Sequence, residues 1–221
     1  MILPALAAHQ DYADRVKSMM RRAIVTSSFI VFPLMVGLAV VAEPLVILLL
    51  TEKWLPAVSF LQIFCASFAL WPIHTANLQA INAMGRSDIF LKLEIIKKVI
   101  GLVILAGCLP FGVYVLALSQ VLVSIISSII NAYPNKKLLN YGYGEQIKDI
   151  LPSLLLSLVM GVIVYLLLFL GLSPFITMLL QIVVGAIVYT GLAFLFKLEC
   201  FTYLVQTLLS LVQGKRNSQS K

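Results

Sequence analysis

Long apolar runs, cut by short polar turns, organise this chain. Crossing the hydrocarbon layer of a bilayer takes about 20 consecutive apolar residues as a helix. Runs of that length are plain at about residues 23–50, 55–83, 148–172 and 174–196. Between the second and third lies Val99–Ile130, which as one helix would measure roughly 48 Å, too long for one crossing. The breaker "LPFG" at Leu109–Gly112 divides it. The second piece spans about 112–133. The first, Val99–Leu109, is only about 16 Å long. It crosses only if its helix reaches back through Lys98, Lys97, Glu94 and Lys92 to an N-cap at Ser87 or Asp88, giving a span at about 88–109. The expectation is an all-α polytopic membrane protein of six transmembrane helices, arranged as three hairpins.

Charge supports that count. Of 16 Lys and Arg, six spans place 15 on one side and Lys53 alone on the other. The positive-inside rule then puts both termini in the cytoplasm. Composition agrees. The chain is 61% hydrophobic and 11% charged, with mean hydropathy +1.04, against about 25% charged residues in a soluble domain. That apolar excess calls for lipid as solvent. The net charge of +7 therefore records orientation, not nucleic-acid binding. The start shows no cleavable signal-peptide pattern. Cys65, Cys108 and Cys200 lie far apart without metal-ligand spacing and read as small hydrophobes. No metal or cofactor is expected.

Two flanks are expected at the membrane surface: a cytoplasmic turn and amphipathic helix over 1–22, and an amphipathic helix over 197–213 before a disordered tail at 214–221. In "DYADRVKSMMRR" acids precede bases, as the helix dipole favours, and Asp11–Arg15 is an i,i+4 pair. The external turns "TEKWLP", "LPFG" and "LSPF" are too short to hold an active site.

Polar groups inside spans are costly and draw attention to function. Pro33 and Pro72 sit mid-span as expected kinks. Glu43 reads either as an outer-interface residue or as a proton or cation site. Ser67, His74 and Asn77 fall within about 80° of one another. They either bridge helices by hydrogen bonds or, through His74, carry protons. Gln120, Ser124, Ser127 and Asn131, with Ser128 beside them, form a stripe about 100° wide that must face protein or water. Tight packing and a cavity wall both fit it. Glu94, Lys97 and Lys98 share one face, with Lys92 on another. Glu94 can pair with Lys97 at i,i+3 and Lys98 at i,i+4. These charges either snorkel to the headgroups or line a water-filled cavity open to the cytoplasm.

The ordered series "LPALAAHQDYADRVKSMMRRA", "FPLMVGLAVVAEPLVILLLTEKWLPAV" and "LQIFCASFALWPIHTANLQAINAMGRSDIFLKLEIIKK" resembles the Wzx-type flippases of lipid-linked oligosaccharides. These share a superfamily with the multidrug and toxic compound extruders and the lipid II flippase. The resemblance rests on a helix with a central proline, an outer turn Thr51-Glu52-Lys53-Trp54 and an inner turn Ala83-Met84-Gly85-Arg86. It implies the C-terminal part of a two-bundle protein of about 12–14 helices, with Met1-Ile2-Leu3-Pro4 like the middle of a family sequence. The missing N-terminal half, or partner subunits, and membrane lipids are then the expected partners. The implied activity is transfer of undecaprenyl-diphosphate-linked oligosaccharide across the bacterial inner membrane during O-antigen, lipopolysaccharide or exopolysaccharide synthesis. Candidate substrate contacts are Arg86, Lys97, Lys98, Gln120, Ser124 and Asn131. Candidate coupling-ion groups are Glu94, His74 and Glu43. The alternatives are a cation-coupled drug extruder fragment and a non-transporting member of a polysaccharide assembly complex. An enzyme is not expected: the internal "NKKLLNYGYGEQIKD" offers only Glu145 and Asp149, and no acid/base pair forms.

Overall fold

The computed structural model describes residues 2–196, 198 and 201, with side chains from Tyr12 onward. The helix expected at 197–213 and the tail at 214–221 lie outside the described residues, apart from Leu198 and Phe201. Among the described residues there are seven α-helices: α1 (Ile2–Leu50), α2 (Pro56–Phe68), α3 (Trp71–Ala83), α4 (Ser87–Cys108), α5 (Val113–Leu138), α6 (Tyr143–Leu166) and α7 (Pro174–Leu195). Short 3-10 turns at Glu52–Trp54, Leu109–Phe111 and Leu167–Leu170 lie at one end of the bundle. No strand occurs among the described residues.

The first helix departs from expectation. Instead of a turn, an interfacial helix and a span, α1 runs unbroken for 49 residues, about 74 Å at 1.5 Å per residue. The amphipathic stretch packs one face on protein. Val16, Met20 and Ile24, spaced four apart, are buried against Ala76 and Ala80 of α3 and Leu139, Tyr141 and Ile150 at the α5–α6 turn. Polar contacts flank this seam. Tyr12 donates to the Ala83 carbonyl at 2.8 Å, Lys17 to the Asn140 carbonyl at 2.6 Å, and Arg21 to Asp149 at 2.6 Å. Arg21 is 60% exposed, so that ion pair contributes at most about 1 kcal/mol, and the buried apolar face carries the docking.

Hydrogen-bond register fixes the helix directions. Ser67 meets Ser124, His74 meets Asn131, and Asn77 meets Asn135. The near-constant offset means that α5 runs parallel to α2 and α3. Arg21 with Asp149 and Val36 with Gly161 likewise make α1 and α6 parallel. Parallel neighbours need a return path, so α4 must carry the chain back along the bundle. Five stretches are long and apolar enough to cross a membrane on composition alone, and α4 is not among them. Its 22 residues, about 33 Å, supply the sixth pass, and the start of α1 and the end of α7 share a side. The chain is a multi-pass, all-helical membrane protein. The helix α4 begins at Ser87 with Arg86 in the N-cap position and no side-chain cap, not with the Ser87 or Asp88 cap expected.

Beside each mid-span proline a neighbouring helix supplies a side-chain bond to a backbone carbonyl. Pro33 has no N–H for the Phe29 carbonyl four residues earlier, and the helix continues through it. The Tyr189 hydroxyl of α7 donates to that carbonyl at 2.7 Å. Before Pro72 the helix does break, ending at Phe68 and restarting at Trp71. There the Ser67 carbonyl accepts from Ser124 of α5 at 2.9 Å. Such side-chain bonds are how a membrane helix tolerates a proline.

Candidate functional site

The break in the second pass opens a space beside α4 and α5. A cavity of about 580 Å³ lies there. Phe64, Ser67, Phe68 and Trp71 form one wall, continued by His74, Gln79 and Asn82. Phe90, Glu94 and Lys97 of α4 face them, and Gln120, Ser124, Ser127 and Asn131 of α5 complete the lining.

Local geometry explains each polar member. On α5, positions 120, 124, 127 and 131 recur at spacings of 4, 3 and 4, so one helix face presents all four. The structure resolves the two readings of this stripe in favour of a cavity wall. Ser128, beside it, turns away and is buried, its hydroxyl 3.0 Å from that of Tyr143. On α4, Lys97 Nζ bonds Glu94 Oε1 at 2.6 Å, and the Lys97 side chain is only 13% exposed. The partner of Glu94 is thus Lys97 at i,i+3. Lys98, expected on the same face, is exposed and outside the lining. One residue is about 100° of helix rotation, enough to carry Lys98 off the cavity. Of the 22 residues of α4, Leu93 is the one buried.

His74 sits at the centre of the polar wall. Its Nε2 is 3.3 Å from Ser124 Oγ, and its Nδ1 is 3.2 Å from Asn131 Nδ2. Ser124 in turn donates to the Ser67 carbonyl. One side chain from α3 and two from α5 therefore hold both sides of the helix break.

Other candidates lie elsewhere. Arg86 is exposed and makes a two-pronged pair with Asp88 at 3.1 and 3.2 Å, outside the cavity. Glu43 is exposed near the C-terminal end of α1 and outside the lining. Asn77, grouped with His74 by periodicity, points instead into a buried amide cluster. There Asn77 Nδ2 donates to Gln146 Oε1 at 2.7 Å, Gln146 Nε2 to Asn77 Oδ1 at 3.0 Å, and Asn135 Nδ2 to Asn77 Oδ1 at 2.8 Å. All three residues are fully buried, so the bridging reading of Asn77 holds. Sequence reasoning missed the aromatic wall of Phe64, Phe68, Trp71 and Phe90, because apolar residues in a span carry no mark of a cavity. It also missed Gln146 and Asn135, which read as loop polarity until the α5–α6 turn proves tight.

Fold and cavity define a polytopic membrane protein with an open cavity between its helices, part aromatic and part polar, that holds one ion pair. Comparison with known proteins narrows the class. The family described as "Polysaccharide biosynthesis protein" matches residues 1–59. The chain is 26% identical over 172 residues to the lipopolysaccharide biosynthesis protein WzxC of Escherichia coli (strain K12), covering 74% of this chain and 35% of that protein. It is 27% identical over 100 residues to an uncharacterized membrane protein in the cps region of Klebsiella pneumoniae, covering 45% of this chain and 21% of that one. The chain thus spans about a third of the length of its Escherichia coli relative and is similar to the Wzx-type polysaccharide flippases. No solved structure matches it.

Proposed function

We propose that this chain is part of a transporter that moves undecaprenyl-diphosphate-linked oligosaccharide across the bacterial inner membrane, acting with the rest of a longer polypeptide or with partner subunits. Both termini are cytoplasmic in this reading, and the basic inner face follows the positive-inside rule. The observation that carries it is the Glu94–Lys97 pair, held half-buried inside a polar chamber on a helix otherwise almost unburied. A lysine is a suitable point charge for a phosphate, and Glu94 balances it when the chamber is empty. Amide and hydroxyl groups of Gln120, Ser124, Ser127 and Asn131 suit sugar hydroxyls, and the aromatic wall suits apolar sugar faces. Alternating access needs no covalent step, so the reading is of a transporter and not an enzyme. With Glu94 committed to Lys97, a cation-coupled drug extruder is less well supported.

The test is glycan export by the full-length transporter. Lys97→Gln should abolish export at an unchanged membrane level, whereas Lys98→Gln and Lys92→Gln should retain most of it. Export that survives Lys97→Gln, or that falls equally in all three, returns these charges to interfacial anchoring.

A further inference from the structure

We propose that His74 is a proton-binding site of the chamber, and that a diphosphate-type anion at Lys97 binds together with that proton. The proposal rests on the reading of the chamber given above.

The hydrogen-bond directions lead there. Ser124 spends its only hydrogen on the Ser67 carbonyl, so its oxygen is left as an acceptor. His74 Nε2, 3.3 Å away, must therefore carry a hydrogen in either charge state of the ring. The variable proton belongs on Nδ1, which faces the Asn131 amide at 3.2 Å. That amide is fully buried, and its Oδ1 has no hydrogen-bond partner. With its NH2 toward the ring it donates to neutral His74. Turned by half a rotation, it offers Oδ1 to the Nδ1–H of a charged ring. The wall thus accommodates both charge states without moving a helix.

The surroundings set the coupling. The charged groups facing His74 are Glu94 and Lys97 of α4. The α5 wall presents only neutral Gln120, Ser124, Ser127 and Asn131, and α2 presents Phe64, Ser67 and Phe68. The face of α1 packed on α3 is apolar: Val16, Met20, Ile24 and Phe32. Glu94 and Lys97 sum to zero while His74 is neutral. A doubly charged diphosphate beside Lys97 brings a large negative excess into the cavity. A proton on His74 offsets part of it without disturbing the Ser124 anchor. Each ligand then favours the other by the same factor, as linkage requires.

The probe is a P1,P2-dialkyl diphosphate diester, whose two charges do not titrate over the range used. Its binding to the full chain in nanodiscs should strengthen by about fivefold or more as pH falls from about 8 to about 5. In His74→Gln that ratio should collapse to within about twofold. In Asn131→Leu, which removes the acceptor for a charged ring, the rise should move to lower pH. Reciprocity gives a readout free of cavity variants. In a His9→Asn background, nitrogen-15 NMR of the remaining histidine should show its titration midpoint raised by about one unit on adding the diester. A His74→Gln chain that keeps the full pH rise, or an NMR midpoint indifferent to the diester, overturns the proposal alone. Failure of the unmodified chain to bind the diester at any pH overturns the chamber reading, and this proposal with it.

Discussion

Lys97 and Lys98 differ by one position and by everything else. Lys97 lies in the chamber against Glu94, while Lys98 is exposed beyond it. The same scale governs the side-chain bonds to the Phe29 and Ser67 carbonyls. Tyr189→Phe keeps the ring packed on Phe29, centroids 5.1 Å apart, but orphans the carbonyl that Pro33 left free. Ser124→Ala does the same to the Ser67 carbonyl. Each should cost about 1–3 kcal/mol in detergent unfolding experiments. Ser27→Ala, whose hydroxyl bonds a carbonyl of its own helix, should stay within about 0.5 kcal/mol. If all three behave alike, these inter-helix bonds carry no such weight. Gly161 makes a steric point. A Cβ there would lie 2.5 Å from Val36 Cγ1, at the crossing of α1 and α6. Gly161→Ala should destabilise by about 1–3 kcal/mol, and adding Val36→Ala should recover much of that. Lack of recovery would place the strain elsewhere.

At the scale of elements, the end of the bundle at the α5–α6 turn is joined by two devices. One is the amide cluster of Asn77, Asn135 and Gln146, tying α3, α5 and α6 together. Asn77→Ala leaves two buried amides short of partners and should cost about 3 kcal/mol, read as a lowered unfolding midpoint. The other is the seam of α1 against the α5–α6 turn. There Tyr141 is 1% exposed and donates to Asp149 at 2.6 Å, while Arg21 bonds the other oxygen of the same carboxylate. Burial, and then the bond to Asp149, push the Tyr141 phenol well above its ordinary value. Beside Asp149 the Arg21 guanidinium is raised as well. The sign for Tyr141 follows from proton counting. Above about pH 10 the unfolded chain gives up the phenol proton and the folded chain keeps it, so stability falls as pH rises. Tyr141→Phe should therefore lose less thermal stability than the unmodified chain between about pH 9 and about pH 11. An identical alkaline loss in both would separate Tyr141 from the seam's stability.

At the scale of the whole molecule, an even number of passes follows from the register. A reporter active only outside the cytoplasm should be active when fused after Trp54, Phe111 or Ser173, and silent after Gly85 or Tyr141. Activity after Tyr141 would remove α4 as a pass, and with it the chamber. The chamber's orientation can be probed apart from topology. A cysteine at Ser127 should react with small water-soluble thiol reagents, and one at Ile129, exposed on the opposite side of α5, with lipid-dissolved ones.

The sequence by itself determined which stretches are apolar enough to lie in lipid, where "LPFG" and the other turns break them, and which residues form the α5 stripe. Those properties are local: composition, periodicity and the missing N–H of proline act within a few residues. The length of Val99–Leu109 also required a helix running back through its charges, and α4 does so. Tertiary structure decided the rest. Whether Val16, Met20 and Ile24 would meet lipid or protein depended on a partner surface more than fifty residues away. The choice of Lys97 over Lys98, and of Asn77 for the amide cluster over the chamber, turned on how each helix is rotated against its neighbours. Rotation is set by the packing of whole faces, which no single stretch of sequence contains. The pairing of Tyr189 with the carbonyl freed by Pro33, 160 residues apart, is the same lesson in one bond. A helix-breaking residue is legible in sequence, but the group that makes it tolerable appears only when the helices are brought together.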